Sequence, residues 1–325
     1  MKRKSVYVTR EIPDAAIQSL KQHFEVEVNP QDRVLSREEL IEAVRGRDAV
    51  LCLLTDAIDA EVLEAAGPQC RIFANYAVGY NNIDVAEATK RGIVITNTPD
   101  VLNDATADMA WALLFAVSRR VVESDRFARE GKFKGWGPML LLGRDITGKK
   151  LGVIGAGRIG FNFARKAKGF DMEILYTSTK PNEEMEKQLG ARFVDKETLL
   201  KESDFISIHV PLTPDTRHYL GQVEFKLMKK TAVLINTSRG PVVDEKALVN
   251  ALKNGEIWGA GLDVFENEPE IDSGLKVLDN VVIVPHIASA TIETRTNMGL
   301  TAARNIIKVL NGGVPENCVN PEVLK

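Results

Sequence analysis

Cysteine, histidine and aromatic residues are scarce in this 325-residue chain, which holds three Cys, four His and 6% Phe, Trp and Tyr. Cys52, Cys70 and Cys318 make no CxxC pair and no metal-ligand spacing. That excludes a disulfide framework and a cysteine-held metal, and the three read as thiols in a reducing compartment. Neither sign of charge dominates: Lys and Arg number 42 against 45 Asp and Glu, a formal charge of −3. A nucleic-acid-binding face shows as a concentrated basic excess, and none is present. Long apolar runs are missing too. The most apolar stretch, Met109–Val117, falls far short of the about 20 residues that a membrane-spanning helix needs. The basic N-terminus meets charge again at Arg10 and Glu11, before a signal core could form. The chain therefore reads as soluble and cytoplasmic, with neither membrane nor nucleic acid as partner.

What is there is ample core material, 44% hydrophobic against 27% charged, in a length that suggests about two domains. Short β-branched runs alternate with amphipathic stretches. Ser5–Thr9, Glu25–Val28, Val50–Leu54, Arg71–Asn75 and Ile93–Thr96 read as strands. Pro13–Gln22, Ser36–Arg45 and Asp84–Arg91 between them read as helices, with Ser36 and Asp84 as N-caps. The alternation resumes at Leu151–Ile154, Glu173–Tyr176, Arg192–Val194, Phe205–His209, Ala232–Asn236, Ala260–Val264 and Val281–Val284. Strands separated by helical crossovers imply parallel sheets, so the class is α/β. A boundary is expected at Thr98-Pro99-Asp100. The following helix, from about Asp104 to Ser118, is apolar nearly all round, so it is buried as a core helix or in a dimer interface. Gly131–Pro138, rich in glycine and aromatics, reads as an ordered arm or loop.

The most informative local signal is Gly155-Ala-Gly157-Arg158-Ile159-Gly160, set between a strand and a helix. Gly155 allows the tight turn, Gly157 lets backbone approach a pyrophosphate, and Gly160 lets helix pack on strand; Gly169 is expected to cap that helix. The helix N-terminus would present N–H groups to phosphates. A dinucleotide is therefore the expected cofactor. A unit selective for NAD carries a carboxylate about 20 residues on, at the adenosine ribose. Here Ser178 stands there, with Thr179 and Lys180 beside it and Arg158 able to add a second positive charge. A hydroxyl pair with cations suits a 2′-phosphate, so NADP(H) is the preferred cofactor and NAD(H) the alternative.

Three later segments carry groups suited to carbonyl chemistry: Asn236-Thr-Ser-Arg239-Gly, Phe265-Glu-Asn-Glu268-Pro and Pro285-His286-Ile-Ala-Ser289. Each follows an expected strand, where open parallel sheets place their ligand sites. In this order and spacing they resemble the D-isomer-specific 2-hydroxyacid dehydrogenases, over essentially the whole chain. Within that family, Gly135–Gly143 and Tyr176-Thr-Ser-Thr-Lys180 look most like the glyoxylate/hydroxypyruvate reductases.

The resemblance implies that Arg239, Glu268 and His286 are catalytic. It implies two Rossmann-like domains: a flavodoxin-like substrate domain, residues 1–99 plus 288–325, and an inserted dinucleotide-binding domain, residues 100–287. It further implies cofactor contacts from Thr106, Val210, Pro211, Thr237, Asp263 and Ser289. Leu53, Val78 and Gly79 are implied at the substrate, and Trp136 is implied to cross a homodimer interface and wall the substrate pocket.

The residue types fit reduction of a 2-oxo acid. An imidazole has both protonation states within reach near neutrality and can give the carbonyl oxygen its proton. A carboxylate on the other ring nitrogen would favour the charged ring, and a guanidinium matches a carboxylate and polarises a carbonyl. His209 competes with His286 because it too ends a buried strand, and it is expected to line the cofactor pocket; His23 and His218 read as surface residues. The expected activity is reduction of glyoxylate and hydroxypyruvate by NADPH in a homodimer with an interdomain cleft. The alternatives are a reductase of a longer 2-oxo acid and a nucleotide-sensing corepressor without turnover.

Overall fold

The computed structural model describes residues 3–325 and divides the chain into two compact units. In the first, β1 (Ser5–Val8), α1 (Asp14–Lys21), β2 (Glu25–Val28), α2 (Arg37–Val44), β3 (Ala49–Cys52), α3 (Ala60–Ala66), β4 (Ile72–Asn75), α4 (Val85–Lys90) and β5 (Val94–Thr96) alternate. Their strands form a parallel sheet in the order β2-β1-β3-β4-β5, the flavodoxin-like arrangement. Ser36 closes a capping box on α2, and Asp84 accepts from Glu87 N at the start of α4, as expected of both. On one face of this sheet Val50, Phe73 and Ile95 pack against Leu40 and Val44 of α2 and Val62 and Leu63 of α3.

The second unit opens with α5 (Asn103–Ser118) and α6 (Val121–Arg129). It continues through β6 (Lys150–Ile154), α7 (Arg158–Lys166), β7 (Glu173–Thr177), α8 (Glu183–Leu189), β8 (Arg192–Phe193), α9 (Lys196–Glu202), β9 (Phe205–Ile208) and α10 (Gln222–Leu227). β10 (Val233–Asn236), α11 (Glu245–Lys253), β11 (Gly259–Leu262), α12 (Ser273–Lys276) and β12 (Val281–Ile283) complete it. The chain then rejoins the first unit as α13 (Ile292–Leu310). Seven parallel strands run β12-β11-β10-β9-β6-β7-β8. From β8 inward that is the 3-2-1-4-5-6 order of dinucleotide-binding sheets, with the reversal between β6 and β9.

Alternation along each strand builds two cores. Leu151 and Val153 of β6 and Ile235 of β10 face α5 and α7, where Trp111 stacks on Phe163 at 5.0 Å and donates to its carbonyl at 3.0 Å. Ile206, Ile208 and Leu234 face the other way, onto Leu199, Phe225 and Leu248. Helix α5 is thus a core helix of its own unit.

The units divide at Leu102/Asn103 and Ser289/Ala290, against the expected 99/100 and 287/288. At the first crossing, the packing of α5 on the second sheet starts the new unit where the helix begins. At the second, Asp263 holds the Ala288 N–H at 2.9 Å, keeping the chain in place past His286.

One expectation fails. Gly169 does not cap α7, which ends at Lys166 and tightens into a 3₁₀ turn over Ala167–Phe170; the left-handed residue that turns the chain toward β7 is Asp171, at φ 50°. Among the described residues no helix is long and apolar enough to cross a membrane, and no group of His, Cys, Asp and Glu could hold a metal ion.

Candidate active site

Three neighbouring strands of the second unit lead into the loops that hold Arg239, Glu268 and His286. After β10, the Asn236 side chain fastens the loop from both ends. Its Oδ1 accepts from Ser238 N and Oγ at 3.0 and 2.9 Å, and its Nδ2 donates to Arg239 O at 3.0 Å. The Arg239 guanidinium donates to Ser238 O at 2.8 Å, and burial lowers its pKa from the ordinary arginine value against the pull of Glu268. Gly240 follows, and a Cβ there would overlap the carbonyl of Phe265 and stand 2.5 Å from Glu266 N. Only glycine lets the Arg239 loop lie directly on the loop that carries Glu268.

Glu268 is held by two bonds. Oε1 accepts from Phe265 N at 3.0 Å and Oε2 lies 2.8 Å from His286 Nδ1. Burial pushes its carboxyl up, but the bond and charge of His286, the Phe265 N–H and the Arg239 charge outweigh that and hold it below the usual carboxylate range. An ionised carboxylate can only accept, so His286 Nδ1 carries the hydrogen and Nε2 is the ring atom left for a reacting group.

His286 follows β12 in the left-handed region, at φ 52°. Its own N–H reaches Asp263 O at 2.9 Å, and the Asp263 carboxylate accepts from the next two N–H groups, of Ile287 at 2.6 Å and Ala288 at 2.9 Å. Burial raises the Asp263 carboxyl, which these bonds oppose. Asp263 thus binds the histidine loop itself.

His209, the competing histidine, is differently placed. Its Nε2 lies 2.9 Å from Ser207 Oγ and its ring 5.0 Å from that of Phe163, and desolvation pushes its pKa down to about 3. An imidazole neutral throughout the physiological range is a poor proton donor. His218 is exposed, yet it pairs with Glu266 at 2.6 Å, two residues before Glu268.

The glycine turn after β6 takes the shape a dinucleotide needs. Gly155 sits at φ 101°, with a Cβ there only 2.6 Å from His209 O, and a Cβ on Gly160 would overlap the Gly155 carbonyl. Space is open at Gly157, at the N-terminus of α7. Thr237 Oγ1 is buried with no partner among the described residues. Such a polar atom is costly unless a ligand satisfies it. Ile159 lies in the first turn of α7, Val210 packs at the turn from the end of β9, and Pro211 is exposed beside it. Ser178 is half-buried just past β7, with Thr179 and Lys180 exposed; Arg158 is exposed on α7, Thr106 is buried early in α5, and Ser289 is half-buried.

In the first unit, Leu53 follows β3, and Val78 and Gly79 follow β4. The carbonyls of Ala77, Val78 and Gly79 accept from Thr98 N at 2.9 Å, Asn97 Nδ2 at 2.8 Å and Asn75 Nδ2 at 2.9 Å. In a trans peptide the next N–H points oppositely, so the N–H groups of Val78, Gly79 and Tyr80 turn away from these partners. Asn82 donates to Leu53 O at 3.1 Å and lies 3.4 Å from Asn75 Oδ1, joining the two loops. Trp136 is 85% exposed on an arm without regular structure.

Sequence reading missed Asn236, Gly240 and Asn82, and the loop-holding part of Asp263. Asn236 and Gly240 lie inside the quoted motif, but nothing in their types says which neighbouring loop they meet.

Residues 111–288 match the family model of the D-isomer specific 2-hydroxyacid dehydrogenase NAD-binding domain. The chain is 55% identical to the glyoxylate reductase of Korarchaeum cryptofilum over 322 residues, which is 98% of this chain and 97% of that one. Among solved structures, a protein from Thermus thermophilus superposes with a TM-score of 0.92 at 43% identity, covering 97% of this chain and 99% of its own. An NADPH-dependent glyoxylate/hydroxypyruvate reductase from Sinorhizobium meliloti, solved with NADP and malonate, superposes at 0.86 with 32% identity, covering 99% and 98%.

Proposed function

The chain belongs to the D-isomer-specific 2-hydroxyacid dehydrogenases, and from that premise we propose that it reduces glyoxylate to glycolate and hydroxypyruvate to D-glycerate, with NADPH preferred over NADH. One observation carries the reading: a carboxylate that bonds an imidazole at 2.8 Å and feels a guanidinium, in the same unit as a dinucleotide-shaped turn. The names of its glyoxylate reductase relatives support the choice of substrate.

Gly155, Gly157, Gly160 and the first turn of α7 would hold the pyrophosphate, and Ser178, Thr179, Lys180 and Arg158 a 2′-phosphate. Thr106, Ile159, Val210, Pro211, Thr237 and Ser289 would contact the remainder, and Asp263 the carboxamide. The bound reduced nicotinamide supplies the hydride.

His286, protonated on both nitrogens, donates the Nε2 proton to the carbonyl oxygen while Nδ1 stays bonded to Glu268. Glu268 remains ionised and keeps the ring oriented, so the ring ends the step neutral. In the reverse direction the neutral ring takes the hydroxyl proton at Nε2. Arg239 polarises the carbonyl and pairs with the substrate carboxylate, to which the N–H groups of Val78 and Gly79 would also bond. Leu53 would face the C3 end and Trp136 would wall the pocket, limiting it to small acids.

Replacing a general acid costs about 10²–10⁴-fold in rate. His286→Ala is expected to lower kcat on glyoxylate within that range and leave NADPH affinity unchanged; retention of most activity, with loss on His209→Ala instead, would reject the assignment. Comparison of kcat/KM for NADPH and NADH tests the coenzyme preference in the same assay.

A further inference from the structure

We propose that Asn182 is a positioning residue that sets coenzyme selectivity, by holding the loop after β7 at a fixed offset from the glycine turn after β6. This rests on the NADPH reading above. Asn182 is bonded in three directions. Its side-chain Nδ2 donates to Ala156 O at 2.8 Å, and Ala156 lies between Gly155 and Gly157. Its Oδ1 accepts from Met185 N at 3.1 Å and caps α8. Its backbone N–H donates to the Tyr176 hydroxyl at 2.8 Å, and that hydroxyl, on a buried side chain of β7, donates to Glu186 Oε1 at 2.7 Å. At the other end of the loop, Gly155 N–H donates to Thr177 O at 2.9 Å.

Ser178–Pro181 is therefore bracketed on both sides by bonds to one turn. The two places have to keep their separation. In a dinucleotide phosphorylated on the adenosine 2′-hydroxyl, a single ribose separates that phosphate from the pyrophosphate. A turn that seats the pyrophosphate and a loop that seats the 2′-phosphate must therefore be spaced to match. Lys180 is exposed on a long flexible side chain and the loop has no regular structure, so its binding geometry comes from its ends. Without the bond to Ala156 the loop must be ordered as the ligand binds, and that cost falls on the ligand that uses it. NAD has no 2′-phosphate to present and is spared.

The test is calorimetric titration of the full chain with NADP+ and with NAD+, without turnover. Asn182→Ser keeps a hydroxyl able to cap α8 but is too short to reach Ala156 O. The wild type is expected to bind NADP+ more tightly than NAD+. The variant is expected to lose about tenfold in NADP+ affinity, as for one hydrogen bond plus loop ordering, with NAD+ affinity within about twofold and the melting temperature unchanged. Tyr176→Phe, which removes the acceptor for the Asn182 N–H, is expected to shift the ratio the same way. Equal losses for both ligands, or no loss for either, would overturn the proposal. A wild type indifferent to the 2′-phosphate would instead defeat the NADPH reading, and this proposal with it.

Discussion

His286 sits in a backbone region that costs a non-glycine residue roughly 1–2 kcal/mol, and the surrounding bonds explain why it stays there. The Asp263 carbonyl and both its carboxylate oxygens accept from three consecutive N–H groups, His286 to Ala288. Such over-determination is how a strained residue persists. The same histidine is oriented by Glu268, whose carboxyl lies below the ordinary range and is ionised at neutral pH. That lowered pKa keeps the acceptor charged as pH falls into the mildly acid range. Glu268→Gln removes the anion that accepts from Nδ1 and is therefore expected to reduce kcat for reduction, with thermal stability near that of the wild type. An unchanged kcat would mean that the carboxylate plays no part in the step. Residue types along the chain picked out Glu268 and His286, but the ring atom facing the carboxylate, and the near-permanent neutrality of His209, came from packing.

At the level of elements, the site depends on how closely the loops after β10 and β11 approach. Gly240 lies against the Phe265 carbonyl with no room for a methyl group. Gly240→Ala must push the loops apart, and overpacking of this kind costs about 1–3 kcal/mol. The expected result is a lower denaturation midpoint together with a reduced kcat, since Arg239 and Glu268 are carried on the two displaced loops. Full activity at unchanged stability would show that the loops tolerate separation. The twelve strands among the described residues were legible as short runs between turn residues, with ends off by at most two residues. The exit of α7 was not. Gly169 has the residue type of a cap, but the helix tightens into a 3₁₀ turn first, which moves the left-handed position to Asp171.

For the whole molecule, the two units differ in strand order, and each places its loops at the carboxyl ends of parallel strands. The arm after α6 leaves Phe133, Trp136 and Met139 between 58% and 85% exposed. Apolar groups so exposed in succession are of the kind a protein surface covers, and the homodimer expected from the sequence would cover them. Sedimentation is expected to show a dimer that a Phe133→Ser, Trp136→Ser, Met139→Ser variant reduces to monomer; a wild-type monomer would remove the arm from this role. The α/β class, the glycine turn, the absent carboxylate at Ser178 and the three motif residues could all be read along the chain, because each is a matter of local pattern or residue type. Which motifs meet was decided by the folded sheet. Arg239, Glu268 and His286 lie 29 and 18 residues apart, and they converge because β10, β11 and β12 are neighbours in a strand order that only long-range pairing sets. The bond from Asn182 to Ala156 has the same origin, since β6 and β7 had to pair before the two loops could touch.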